Sequence, residues 1–190
     1  MEVPVQTAEI FKILSKGQFI SSNSSDKNIS NLYNIIEDEQ NFEQLADYFS
    51  NINFSLEKGD EYFYFCRPET KVDLEKKIEK AFEWIDTIDF LKTYDNSFSS
   101  GYRFGPSEIL VRIKTDAELE TKLDALKKHT EKTKHQEILD KVLKKLSDDT
   151  FIELENEITN QYKVLASFKY LEQLILTINI PEEVSNEIPE

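Results

Sequence analysis

Cysteine, histidine and glycine are all scarce in this chain, and each scarcity removes a class of function. The single cysteine, Cys66, excludes an internal disulfide framework and suits a reducing compartment. It reads as a buried or edge structural thiol, with no nearby histidine to activate it. The two histidines, His129 and His135, lie six positions apart, which is not the i, i+4 geometry of a helical metal pair. They read as surface residues. Glycine supplies no phosphate loop, because Gly101-Tyr-Arg-Phe-Gly105 is not followed by Gly-Lys-Ser or Gly-Lys-Thr. Carboxylates are abundant but spread along helix faces. With no nucleophile, metal set or cofactor loop in view, the expectation is a non-enzyme that needs no cofactor.

No apolar run approaches the roughly 18 residues of a membrane span. Met1 to Thr7 carries Glu2 and no basic-then-apolar stretch, so no secretory signal is expected and the cytoplasm is the predicted location. Basic residues are also in deficit: the formal net charge of −14 opposes adventitious binding to nucleic acid. With 4 Gly and 5 Pro in 190 residues, flexible linkers are few. The chain should therefore be mainly helical, with small β-hairpins.

Apolar spacing predicts a first helix from about Gln6 to Lys16, with Gly17 as its left-handed C-cap. Phe19-Ile20 follows as a short extended piece, and Ser21 to Ser25 as polar punctuation. Ile29, Leu32, Tyr33 and Ile36 mark a second helix. Asn41 with Gln44 reads as a capping box that opens a third. A hairpin then runs from Asn53 to Cys66. With Gly59-Asp60 as its turn, Leu56 faces Phe63 and Phe54 faces Phe65 on a buried side. Tyr62 and Tyr64 fall on the opposite side, either as an outward partner-contact surface or packed beneath the helix that follows. Helix, short strand, helix, helix, hairpin is the winged-helix order.

A second module opens with a Thr70/Asp73 capping box and a long helix to about Thr93, whose main stripe is Leu74, Ile78, Ala81, Ile85 and Ile88, with Trp84 and Leu91 on an adjacent one. A loop from Asp95 to Gly105 leads to Pro106 as a first helical position and a short apolar stretch, Ile109 to Ile113. Capping boxes at Thr115/Glu118 and Thr133/Gln136 open two further helices. Phe151 to Glu155 and Tyr162 to Leu165 form a weaker wing around Asn156 to Gln161, and a last helix carries Phe168, Leu171, Ile175 and Ile178. The reading is a tandem winged-helix fold of the α+β kind. Its parts are an N-terminal domain at 1–68, a C-terminal domain at 69–180 and a disordered acidic tail at 181–190.

Winged helices commonly read DNA with their third helix, but here that helix exposes Glu43, Gln44 and Asp47, which would repel phosphate. The second module has a basic stripe between Lys122 and Lys145. Lys141, Lys144 and Lys145 are its candidate DNA contacts, against the plainer reading of helix faces laced by i, i+4 ion pairs such as Glu137 with Lys141 and Asp140 with Lys144.

Three segments carry a family resemblance: Phe11-Lys-Ile-Leu-Ser-Lys-Gly-Gln-Phe-Ile, Leu32-Tyr through Phe49, and Phe54-Ser-Leu-Glu-Lys-Gly-Asp-Glu-Tyr-Phe-Tyr-Phe. Together they resemble the opening winged helix of MksE, the MukE-like subunit of bacterial condensins. Phe151-Ile-Glu-Leu-Glu and the helix around Tyr170 are similar to the close of that family. The resemblance implies a homodimeric, kleisin-interacting subunit. Its partner would be an MksF-like kleisin that bridges the heads of an MksB-like SMC ATPase. Nucleoid association follows, and service in chromosome segregation or plasmid defence. The alternative is a stand-alone winged-helix transcription regulator.

Overall fold

A computed structural model describes residues 3–68 and 71–178 of the chain. The expected Thr70 cap and the 181–190 tail lie outside these residues. Helix α1 (Thr7–Leu14) ends before Gly17, whose φ of 77° is the left-handed conformation that a side chain resists. Strand β1 (Ile20–Ser21) leads to α2 (Lys27–Glu37) and α3 (Glu39–Ser50). Asp26 caps α2, and Asp38 caps α3 by accepting the Asn41 N–H at 3.1 Å. The third helix thus begins earlier than an Asn41 cap would place it. Strands β2 (Ser55–Lys58) and β3 (Tyr62–Cys66) close the first sheet, in the order β1-β3-β2.

The hairpin register differs from expectation by two residues. Leu56 pairs with Phe65, not Phe63, and Glu57 pairs with Tyr64. The turn is Asp60-Glu61, flanked by a 2.8 Å bond from the Gly59 N–H to the Tyr62 carbonyl, and Glu61 takes the positive φ of 67°. Gly59 serves another purpose. A Cβ there would lie 2.1 Å from the Tyr62 ring, so the glycine leaves the space that the ring occupies. Because the shift is even, each side chain keeps its face. Leu56 and Phe63 pack with Ile10, Leu32, Leu45 and Phe49 in one core.

The second winged helix repeats the plan. Helix α4 (Lys71–Tyr94) is followed by β4 (Arg103–Phe104), α5 (Pro106–Ile113), α6 (Ala117–Ala125), α7 (Lys127–Thr130), α8 (His135–Asp148), β5 (Ile152–Asn156), β6 (Gln161–Val164) and α9 (Phe168–Ile178). Its sheet has the order β4-β6-β5, the same first-last-middle arrangement as the first. Gly105 precedes Pro106 as anticipated, its N–H donating to Glu108 at 3.2 Å. Asp116, not Thr115, caps α6, and α8 has no side-chain cap at its N-cap, Lys134. The wing loop is shorter than expected because Asn156 and Gln161 pair, and Asn156 Oδ1 accepts the N–H groups of Ile158 and Thr159.

The buried stripe of α4 is rotated from the expected one. Ala81, Trp84, Ile88 and Leu91 are buried, whereas Ile78 is 50% exposed and Phe82 56%. The cause is tertiary: α4 packs against α6 and α9, and the Trp84 ring packs on Phe151 at 5.4 Å where it lines the groove between the modules. Phe19 and Tyr62, from the first winged helix, belong to the same core as Trp84, Phe98 and Phe168 from the second.

Candidate functional site: an aromatic groove between the winged helices

The two winged helices are joined by buried and part-buried hydrogen bonds. The Phe19 N–H donates to Thr150 Oγ1 at 2.7 Å, where Thr150 sits at a φ of 60°. Asn23 donates to the Val164 carbonyl at 3.2 Å and accepts the Ala166 N–H at 2.8 Å. The Ser167 N–H reaches Ser21 Oγ at 3.2 Å. Ser21 to Ser25, read in the sequence as punctuation, is therefore a docking loop. Lys163 is only 9% exposed, and its Nζ lies 3.1 Å from Ser25 Oγ, 3.5 Å from Glu153 and 3.7 Å from Glu155. Arg103 grips Glu155 in a two-point contact at 2.6 and 2.8 Å. That guanidinium holds the Glu155 carboxyl below its ordinary range.

Beside this joint lies a groove of about 260 Å³, floored by Phe19, Tyr64, Trp84, Phe151 and Tyr170. Phe19 is the hub: its ring centroid lies 5.1 Å from Phe151, 5.2 Å from Tyr170 and 5.7 Å from both Tyr62 and Tyr64. Lys16, Lys77 and Lys80 rim the groove, and Asp149 in its lining pairs with Lys80 at 2.7 Å. Lys80 also stands 5.6 Å from the centre of the Trp84 ring.

Tyr62 corrects the expectation of an outward tyrosine: it is 1% exposed and its hydroxyl points to Gln173 at 3.5 Å. The second winged helix covers this face of the hairpin, chiefly through α9 and Phe151 rather than α4 alone. Tyr64 is half-buried in the groove wall, where burial first and then neighbouring Cys66 and Tyr170 push its hydroxyl up to about 12. Phe65, expected in the core, is also half-buried. Cys66 is exposed.

The basic stripe is largely consumed by ion pairs. Lys144 pairs with Asp148 at 2.9 Å, and Lys145 with Glu83 across to α4. Lys122, Lys127, Lys128 and Lys134 pair with Asp89, Asp124, Asp86 and Glu137. Lys141 has no ion-pair partner among the described residues. The partners differ from the expected Glu137–Lys141 and Asp140–Lys144, because α8 leans its lysines toward α4 and the end of its own helix. Neither histidine is a plain surface residue. His129 Nε2 lies 2.7 Å from Asp86, and His135 Nε2 lies 3.1 Å from Asp124. Burial alone would raise the Asp86 carboxyl, but hydrogen bonds from Lys128 and His129 outweigh it and hold the group low. No group of three His, Cys, Asp or Glu is placed to hold a metal among the described residues.

The groove floor was not anticipated as a unit. Phe19, Trp84, Phe151 and Tyr170 come from four separate segments, and only the fold brings them together. One signal was present: two tyrosines on the supposedly wet face of a hairpin imply cover.

Two winged helices sharing a core define a protein of the tandem winged-helix class, here with an acidic third helix and most of the basic stripe spent on internal pairs. Its family follows from comparison: the model for MksE, condensin complex protein MksE, matches residues 5–175. That is most of the chain, which belongs to this family and is a condensin subunit. No curated protein matches it. No described helix is long and apolar enough to cross a membrane.

Proposed function

We propose that this chain is the kleisin-gripping, non-catalytic subunit of an MksBEF-type condensin. It acts as a homodimer that binds an MksF-like kleisin and, through it, an MksB-like SMC ATPase. The family match over residues 5–175 is the observation that carries the reading. The charge distribution supports it. Helix α3 exposes Glu39, Glu43 and Asp47 where a DNA reader needs cations, so affinity for duplex has little to rest on. Nucleotide hydrolysis belongs to the SMC partner, and the assembly works in the cytoplasm on the nucleoid, in chromosome segregation or plasmid defence. Tyr64, at the groove wall, remains the partner-contact candidate of the hairpin; Tyr62 acts by holding that wall in place.

The test is reconstitution. Light scattering after size exclusion should give a dimer for the chain alone and a stable complex with an MksF-like kleisin. A strict monomer, or a chain that ignores the kleisin and binds duplex at nanomolar strength in physiological salt, overturns the proposal in favour of a stand-alone regulator.

A further inference from the structure

The first winged helix leaves an aromatic patch uncovered at the edge of its own core. Tyr48 is 41% exposed and Ile52 46%, one turn apart at the end of α3, while Phe11 and Phe54 are half-buried. The rings form one continuous surface around buried Phe49. Phe11 lies 5.4 Å from Phe54 and 6.0 Å from Phe49, and Tyr48 lies 5.5 Å from Phe49. Single exposed apolar side chains are ordinary, but a contiguous cluster marks a contact site.

The patch is also free of charge at its centre. Side chains three and four positions apart on a helix are surface neighbours. At the surface these are Ala8 and Ser15 around Phe11, and Gln44, Asn51 and Ile52 around Tyr48. None is ionisable, in a chain of which 32% is charged. Aromatic residues in a charge-depleted centre are the composition of an interface core. Charge returns at the borders, with Lys12 next to Phe11 on α1 and Asp47 next to Tyr48 on α3. Both are exposed, and neither side chain has an ion-pair partner among the described residues.

We propose, on the homodimer reading above, that this patch is the contact between two copies of the chain, related by a two-fold axis that sets Lys12 of each copy against Asp47 of the other. The charge pattern selects this occupant. A half-turn about the patch exchanges its two borders, so a surface with unspent opposite charges on them is complementary to itself. A partner of one sign would meet a like charge, duplex DNA or an acidic peptide at Asp47 and a basic peptide at Lys12.

Charge reversal tests the geometry. Equilibrium sedimentation of the full chain should give a dimer whose dissociation constant rises about tenfold in Lys12→Glu, and likewise in Asp47→Lys, because each change turns two attractive contacts into two repulsive ones. An equimolar mixture of these two variants should recover the parental affinity as a heterodimer, since both pairs across the axis are then attractive. Ile52→Lys should dissociate the dimer at a position exposed enough for circular dichroism to keep the parent's helix content. A parent dimer that all three variants leave unchanged overturns this surface and keeps the homodimer. A mixture no tighter than either variant alone also overturns it, because Lys12 and Asp47 then do not meet across the axis. A monomeric parent overturns both the contact and the homodimer. Variants that dimerise as the parent does but lose an MksF-like kleisin overturn it too, and give the face to that partner.

Discussion

Replacing Tyr62 by alanine should be one of the most damaging single changes in the first sheet, and more damaging than replacing Phe65. A reading of the hairpin alone reverses that order, with Phe65 inside and Tyr62 outside. In the folded chain Tyr62 is 1% exposed and sits in the core that contains Trp84 and Phe168, while Phe65 is half-buried. A fully buried aromatic cut to alanine costs about 3–5 kcal/mol, from lost transfer energy and the cavity left behind. At about 2–4 °C per kcal/mol for a chain of this size, Tyr62→Ala should lower Tm by about 6–20 °C. Phe65→Ala, at a partly exposed ring that packs on Phe11, Phe49 and Phe54, should cost about 2–3 kcal/mol. Tyr62→Phe removes only the long 3.5 Å contact with Gln173 and should cost about 0.5 kcal/mol or less. The assay is calorimetry on the three variants with Phe63→Ala as a control, because Phe63 lies in the other core and should match Tyr62 in cost. A Phe65→Ala variant less stable than Tyr62→Ala would refute the packing of the second winged helix onto the hairpin.

Gly59→Ala should destabilise despite lying in a turn, since its Cβ would meet the buried Tyr62 ring at 2.1 Å; a melt equal to the parent's would show that the ring can move aside. Lys163→Ala should cost about 2 kcal/mol by removing the ammonium between Glu153 and Glu155, which keep Ser24, Ser25 and Arg103 as donors, whereas Lys58→Ala, from an exposed pair with Glu37, should cost about 1 kcal/mol or less in the same urea titration. The Asp86, Asp124 and Glu155 carboxyls have folded pKa values below their unfolded ones, so their contribution is complete above the ordinary carboxylate range of about 4 and is lost as pH falls through the folded values. Melting temperature should be flat near pH 5–7 and fall below about 4, less steeply in Asp86→Asn; an unchanged acid limb removes Asp86 from that account. The triple change Lys141→Glu, Lys144→Glu, Lys145→Glu should lower stability by about 1 kcal/mol through the Glu83 contact rather than abolish a strong DNA affinity, which gel shifts on the parent chain would reveal if it existed.

Local pattern was enough to place most of the elements, because helical spacing, caps and strand alternation are properties of neighbouring residues. Gly17 stopping α1, Gly105-Pro106 opening α5 and the buried run Leu119, Leu123, Leu126 could all be read directly. Even the two faces of the hairpin were legible, since an even slip of register leaves every side chain on its own side. Composition likewise determined the sign of the surface and the poverty of reactive groups. Tertiary structure decided what lay against what. The register of β2 and β3 depended on Gly59 fitting beneath a ring that is held down by another part of the chain, and the rotation of α4 depended on which neighbours claimed Trp84. Ser21 to Ser25 became a joint only when β5 and β6 brought Glu153, Lys163 and the Val164 carbonyl to it. The groove has the same origin: Phe19 and Phe151 are separated by more than a hundred residues yet lie ring to ring, and burial energy between such distant positions depends on the whole fold rather than on any window of sequence.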